Sequence, residues 1–309
     1  MTNSRGAVVI TGASSGLGAA IAEGLAGAGF TVYAGVRTEE SAARALRVNP
    51  AIRPLMLDVT SADAIRAAGR RVREEVGDAG LHGLVNNAGT CVPAPLECVP
   101  PEQLRAELEV NLIGTVAVTQ EFLPLLRARP SAAVPGEPVG RIVTVSSGLG
   151  RVAAPFLGAY AASQFAKEGV SDALRRELAS LAVSVSVIEP GAVPTPIWSK
   201  VEETARQILA AAPEAVAAPY RARFEAFVAL NDERARQSRT RPEAVARAVA
   251  HALTARRPRT RYRVGPDARA AAVAARLLPD RVLDALIKRQ FADPAPEKGR
   301  AGAYEGAAR

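Results

Sequence analysis

The segment that most constrains this chain is Thr11-Gly12-Ala13-Ser14-Ser15-Gly16-Leu17-Gly18. It joins an apolar run, Ala7–Thr11, to an amphipathic one near Leu17–Gly29. Glycines at a strand-to-helix turn permit a tight reversal, close approach of backbone to a phosphate, and close packing of helix on strand. The start of such a helix presents free N–H groups and a partial positive charge to a pyrophosphate. In this setting the loop reads as a dinucleotide cradle made of Gly12, Ser14, Ser15, Gly16, Leu17 and Gly18.

Short apolar runs alternate with longer amphipathic ones along most of the chain. Strands are expected at Ala7–Thr11, Thr31–Gly35, Ile52–Leu57, Gly83–Asn86, Arg141–Val145, Ser184–Glu189 and Thr260–Val264. Helices are expected near Leu17–Gly29, Ser61–Val76, Pro101–Ala128, Tyr160–Leu181 and Pro242–Ala255. This alternation implies an α/β fold with right-handed crossovers and a parallel sheet covered on both faces. Residues 1–292 read as one domain. Arg129–Val139 is proline-rich and reads as a surface loop, and Ile197–Arg239 inserts a long helical region. The Gly/Ala/Pro-rich tail, residues 293–309, is expected to be disordered.

Composition narrows the partners. The 48% hydrophobic and 23% charged fractions are those of a soluble globular protein. Aromatics make up only 4%, too few for a stacking platform on single-stranded nucleic acid. The net charge of +8 is spread along the chain, and its densest stretch, Arg256–Arg261, reads as a solvated turn leading into a strand. Two cysteines, Cys91 and Cys98, and two histidines, His82 and His251, do not make a metal site. Free thiols fit a reducing compartment. The first apolar run is too short for a signal peptide, and no run of about 18 apolar residues could span a bilayer. The expected location is the cytoplasm, with no nucleic-acid partner and no membrane span.

Strand ends carry the remaining chemistry. A dinucleotide site selective for NAD places an acid after the second strand to bind the ribose 2′-hydroxyl. Here Val32-Tyr33-Ala34-Gly35-Val36 leads into Arg37 and Thr38. A guanidinium pairs with a 2′-phosphate, so NADP(H) is favoured over NAD(H). Asp58-Val59 follows the third strand and Asn86-Asn87-Ala88-Gly89 the fourth, both where ligands bind in open α/β sheets.

Together these motifs resemble the classical short-chain dehydrogenase/reductase family, from about Gly6 to Val264. The resemblance implies a Rossmann-type, doubly wound sheet of seven strands, a nicotinamide cofactor, and a homodimer or homotetramer. It also implies a catalytic Asn-Ser-Tyr-Lys set, matched by Asn111, by Ser147 thirteen positions before Tyr160, and by Tyr160 itself. Asp58 and Val59 match an adenine-contacting pair. Asn87 and Gly89, then Pro190, Gly191, Val193 and Thr195, complete the cofactor set, with Thr195 matching a threonine at the nicotinamide amide. Arg261–Ala268, with Leu277-Leu278-Pro279 beyond, is similar to the hydroxysteroid- and retinol-dehydrogenase-like branch. The departure is Gln164, which stands where the family has lysine: it can bond a ribose hydroxyl but supplies no charge. Lys167 lies near the phase of Tyr160 two turns away, and a long side chain leaning toward the helix N-terminus can reach back part of the way; the counter-reading is a surface or ribose-side lysine without a catalytic role. Asn111 has a structural reading too, pinning its helix through backbone bonds.

The leading function is NADP(H)-dependent interconversion of a ketone and an alcohol on an apolar, polyketide-like or steroid-like molecule. Tyrosine donates the proton and serine holds the oxygen. Ile197, Trp198, Ile208, Leu209, Tyr220, Phe224, Phe227 and Leu230 divide between packing the insertion and lining a pocket beneath a lid, with Trp198 the best substrate contact. Two other readings stay open. One is non-redox catalysis (cyclisation, dehydration or isomerisation) by Tyr160 and Ser147. The other is a regulatory protein that binds NADP(H) without turnover.

Overall fold

The computed structural model describes residues 5–129, 136–195 and 197–290; of residues 197–201 and 290 only the backbone is described. The expected tail and most of the proline-rich loop lie outside these residues. Seven strands form one parallel sheet: β1 (Ala7–Ile10), β2 (Thr31–Val36), β3 (Ile52–Met56), β4 (Gly83–Asn86), β5 (Gly140–Val145), β6 (Val183–Pro190) and β7 (Arg261–Val264). Their order is β3-β2-β1-β4-β5-β6-β7. The chain therefore builds outward from β1 to β3, then crosses back to lay β4 on the other side of β1.

Both faces are covered, as continuous apolar strands require. Val8 and Ile10 point to one side, where α1 (Gly16–Gly27) and α10 (Pro242–Thr254) supply Ile21, Leu25, Val245, Val249 and Leu253. Val9 points to the other, where α3 (Ala62–Val76) and α5 (Gly114–Arg127) supply Ile65, Val72, Val118 and Phe122. Serine and threonine start two helices in the usual way: Ser61 accepts from the Ala64 N–H before α3, and Thr38 from the Ser41 N–H before α2 (Glu39–Val48).

Several helices were not expected from the sequence. One is α2, whose apolar side is largely alanine; Ala42 and Ala45 are partly covered and none of its residues is fully buried. Two others, α11 (Pro266–Leu277) and α12 (Asp280–Gln290), follow β7. The long helix expected at Pro101–Ala128 is α4 (Pro101–Leu108) running into α5 through a wide π-turn at Glu109–Ile113. The helix bearing Tyr160 is α6 (Gly158–Glu177). The insertion folds as α7 (Ile197–Ala211), α8 (Glu214–Ala217) and α9 (Arg221–Gln237). Ile208, Leu209, Phe224 and Phe227 are buried there against Val92, Cys98 and Leu157. Phe156 wedges edge-on between Phe224 and Phe227, with ring centroids 5.4 and 5.3 Å away, at a backbone φ of +65° that bulky residues rarely adopt.

Arg256 to Thr260 lead into β7 as expected, but Arg261 departs from the solvated-turn reading. It is the first residue of β7, and its guanidinium meets Glu168, Asp172 and Glu189 at 3.0, 2.9 and 3.3 Å. Glu189 on β6 is fully buried and also takes bonds from Arg151 and Arg263. Burial, then the neighbouring Glu189 charge, pushes the Glu168 carboxyl up to about 7. These ion pairs tie the edge strand β7 to β6 and α6. Removing one partner of a buried pair is costly because it strands the other charge. Arg261→Met should therefore lower unfolding free energy by about 3 kcal/mol in urea titrations. Arg44→Ala, which breaks the exposed Arg44–Glu40 pair, should cost under about 0.5 kcal/mol.

Candidate functional site

The carboxyl ends of the strands collect nearly every residue singled out above. Gly12 and Gly16 adopt positive φ, +66° and +56°. At Gly18 a Cβ would lie 2.1 Å from the Gly12 carbonyl oxygen and 2.6 Å from Asn87 Nδ2, so the turn is closed to any side chain. The Asn87 amide donates to the Thr11 and Gly12 carbonyls at 3.0 and 3.1 Å. Thr11 Oγ1 accepts from the Asn87 and Ala88 N–H groups at 3.0 and 2.9 Å. Asn87 thus stitches the loop after β4 to the loop after β1. Ser15 precedes α1 with extended backbone and gives no side-chain cap, and no acid stands in the first turn. Leu17 and the partly covered Ser14 complete the loop. The residues present fit a dinucleotide pyrophosphate: a side-chain-free turn facing uncapped helix N–H groups.

Arg37 is exposed just past β2. Asp58, just past β3, accepts from the Thr60 N–H and hydroxyl at 2.9 and 2.7 Å. These bonds hold its carboxyl below the usual range, and the Arg37 charge adds to the effect. Asp58 is thus an acid within electrostatic reach of Arg37. Val59 is buried against the start of α5 at Gly114. On the far side, Pro190 ends β6. The Gly191 N–H donates to the Val264 carbonyl at 2.9 Å, and the Ala192 N–H to Asp267 at 2.6 Å. Ser238 holds the Ala192 carbonyl from the end of α9. Asp267, inside the Arg261–Ala268 segment, and Ser238 are loop anchors to which sequence reading gave no role. Val193 is buried and Thr195 partly covered. Trp198 lies in the first turn of α7, but its side chain is outside those described.

Ser147 follows β5 and keeps part of its surface open, whereas its neighbour Ser146 is buried. Tyr160, two residues into α6, faces Ser147. Burial of the phenol hydroxyl raises its pKa well above the ordinary value, the Cys91 and Glu107 sides add to this, and the interaction with the Ser147 side chain pulls it back. Among the site residues these two side chains are the pair that meet with an open edge between them.

Beneath them lies a buried polar network. Asn111 sits at the centre of the π-turn, fully buried. Its Oδ1 accepts from the Thr90 N–H at 2.8 Å, and its Nδ2 approaches the Thr90 carbonyl, Ser163 Oγ and Glu107 at 2.9, 2.9 and 3.3 Å. These bonds tie the π-turn to Thr90 after β4 and to Ser163 on α6. Gln164 Nε2 donates to Ser163 Oγ at 3.1 Å, while its buried Oε1 has no partner. Glu107, fully buried, accepts from the Val92 N–H at 3.2 Å, and burial pushes its carboxyl up to about 8. Sequence reading passed over Glu107 and Ser163. The available signal was spacing, since Glu107 stands one turn before Asn111 and shares its face.

Lys167 requires a correction. It is 2% exposed, so it is no surface lysine. Its Nζ donates to the Val145 carbonyl at 3.2 Å and the Ala88 carbonyl at 3.5 Å, at the ends of β5 and β4. Burial pushes its pKa down to about 8, opposed by the Glu107 charge. The lean of helix side chains toward the N-terminus carries it back into the site.

Known proteins match this arrangement. Residues 6–206 match the sequence profile of the family described as short chain dehydrogenase. The chain is 39% identical to 17-beta-hydroxysteroid dehydrogenase type 6 of Bos taurus, covering 93% of this chain and 89% of that one. It is 38% identical to 3-amino-tetrahydro-pyrrolizinone reductase of Xenorhabdus hominickii, covering 86% and 88%. A short chain dehydrogenase of Burkholderia cenocepacia, solved in complex with NADP, superposes with a TM-score of 0.68 at 27% identity, covering 95% of this chain and 100% of that one.

Asn111→Ala would leave the Thr90 N–H, the Thr90 carbonyl and Ser163 short of a buried partner, each worth about 1–3 kcal/mol. A loss of about 2–4 kcal/mol in unfolding free energy is expected, with the π-turn relaxing toward ordinary helix. Denaturant titration and amide exchange across Glu109–Ile113 check both effects.

Proposed function

This chain belongs to the short-chain dehydrogenase family, on its hydroxysteroid and retinol dehydrogenase side, and from that premise we propose that it is an NADP(H)-dependent ketone reductase or alcohol dehydrogenase acting on an apolar small molecule. The observation that carries the reading is the Ser147–Tyr160 pair, set at the carboxyl edge of the sheet next to a side-chain-free glycine turn. A bound reduced nicotinamide dinucleotide supplies the hydride in this chemistry. Gly12, Ser14, Ser15, Gly16, Leu17 and Gly18 hold its pyrophosphate. Asp58 and Val59 border its adenine, and Gly89, Pro190, Gly191, Val193 and Thr195 border its nicotinamide half. Asn87 acts by fixing the glycine turn.

Reduction builds negative charge on the carbonyl oxygen of the substrate. Tyr160 Oη donates its proton to that oxygen, and the Ser147 hydroxyl donates a hydrogen bond to it. In oxidation the same groups run in reverse. The protonated tyrosine is a weak acid here, since burial raises its pKa. The helical segment from 197 to 239 forms the apolar wall over this pocket, with Trp198 its substrate contact. The phenylalanines of α9 pack that wall and do not line the pocket. A homodimer or homotetramer in the cytoplasm completes the reading. Among the described residues no helix is long and apolar enough to cross a membrane.

In this reading Arg37 pairs with the 2′-phosphate, supported by its exposure just past β2. Because it is exposed and near Asp58, the gain should be at the low end for a charge-assisted bond, about tenfold tighter binding of NADPH than of NADH. Arg37→Ala should erase that preference; equal affinities for the two dinucleotides in the parent protein, by calorimetry, would overturn it. The reaction itself is tested with Tyr160→Phe. NADPH oxidation coupled to reduction of apolar ketones should fall by about 100-fold or more in the folded variant. Substrate consumption by the parent with constant nicotinamide absorbance would instead point to non-redox chemistry.

A further inference from the structure

The catalytic lysine implied by the family resemblance has two jobs, to bond the nicotinamide ribose and to place a positive charge near the tyrosine. We propose that this chain divides them: Gln164 bonds the ribose, and Lys167, one turn further along α6, supplies the charge. The proposal rests on the reductase reading of Tyr160 and deepens it.

Three observations carry it. The first is where the Lys167 ammonium ends. It is buried at the carboxyl edge of the sheet on the Ala88 and Val145 carbonyls, and a Cβ on Gly89 would lie 3.9 Å from it and 3.2 Å from Asn111 Oδ1. The ammonium and the Asn111 amide therefore converge on Gly89, within the cofactor edge of the site. An ammonium has three donors, and two are used by these carbonyls. The second is Gln164. One of its two Nε2 N–H groups goes to Ser163, while Oε1 is buried and unpartnered, an acceptor that a hydroxyl would satisfy. A neutral amide there can bond a ribose hydroxyl in a place where a second ammonium would face Lys167. The third is composition. Of thirty-nine basic residues only four are lysine, Lys167, Lys200, Lys288 and Lys298. The chain uses arginine for its surface charge and spends one of its few lysines on this interior position.

Glu107 on α4 is the charged neighbour of Lys167, and the same Glu107, with Cys91 after β4, acts on Tyr160, so the two side chains share one electrostatic neighbour. Burial holds the Cys91 thiol protonated and pushes Glu107 up to about 8, so neither cancels the ammonium at neutral pH. When Tyr160 has given its proton to the substrate oxygen, it is left as a phenolate, and a nearby cation stabilises that state. Lys167 acts through Tyr160 and is a positioning residue in that sense. Gln164 touches the cofactor.

The test uses the full chain with NADPH and phenanthrenequinone as the carbonyl probe. Lys167→Met should lower kcat/KM by about 30-fold at pH 7 while NADPH affinity stays within about threefold. It should also flatten the fall in reduction rate expected above about pH 8, where Lys167 and Glu107 both lose a proton, leaving only the part that Glu107 contributes. Gln164→Leu should do the opposite, weakening NADPH binding by about tenfold without moving that alkaline limb. In Lys167→Met/Gln164→Lys the rate should return to within about threefold of the parent. Gln164→Lys alone should gain nothing, because it sets two cations side by side. A readout independent of turnover comes from carbon-13 NMR of lysine-labelled protein, where the four lysines give resolvable signals. The signal lost in Lys167→Met should titrate near pH 8 and report a charged amine at pH 7. If that amine is neutral at pH 7, or if folded Lys167→Met keeps full rate and the same alkaline limb, the division of roles is wrong. A double variant no faster than Lys167→Met overturns it as well. Failure of the reductase reading looks different: Tyr160→Phe would then reduce the probe as well as the parent, or the parent would not reduce it.

Discussion

The crossing of the chain from β3 back to β4 is the constraint on which the rest depends. Strands laid down outward from β1 in both directions must diverge at β1 and β4, and the loops leaving their carboxyl ends turn to opposite faces. A crevice opens there as a matter of topology. The structure then has to keep that crevice open without letting the two strands separate. Thr11 and Asn87 do this with four hydrogen bonds across the divide, made between the residues that follow β1 and those that follow β4. The glycine turn after β1 and the Asn87–Gly89 segment after β4 border this stitched gap.

Around the gap, polar burial is used in two ways. At the β6–β7 edge, carboxylates and guanidiniums pair directly at about 3 Å and fasten an edge strand. Beneath Tyr160 the charged groups are kept apart: Lys167 rests on neutral carbonyls and Glu107 on backbone and amide N–H groups. Pairing suits an anchor, because both charges are consumed. Separation suits a reacting site, because each group keeps a field or a proton that chemistry can draw on.

What the sequence showed plainly was whatever depends on local pattern. The first strand and its glycine turn were legible because an unbroken apolar run meets glycines before a helical stripe. All seven strands were found near their final positions for the same reason. Helix α2 was not, since nothing in it is buried and its signals are an N-cap threonine and two acids. The π-turn around Asn111 was invisible because the helical spacing of apolar residues continues through it from α4 into α5. Lys167 shows the limit most clearly. Helical phase gave its direction to within a fraction of a turn, but depth depends on the Ala88 and Val145 carbonyls, which come from far away in the chain. No periodicity encodes those.

Phe156 joins three parts of the molecule that would otherwise be independent. Its carbonyl accepts from the Ala94 N–H in the segment after β4, its ring is gripped by two phenylalanines of α9, and it stands four residues before Tyr160 on the approach to α6. The helical insertion and Tyr160 are thereby linked through one side chain. A smaller residue in place of Phe224 or Phe227 would free the Phe156 ring and loosen the approach to Tyr160. Helix α7 enters the same apolar cluster through Ala205, Ile208 and Leu209, so a swap on either helix is felt at Phe156 and passed on to the start of α6.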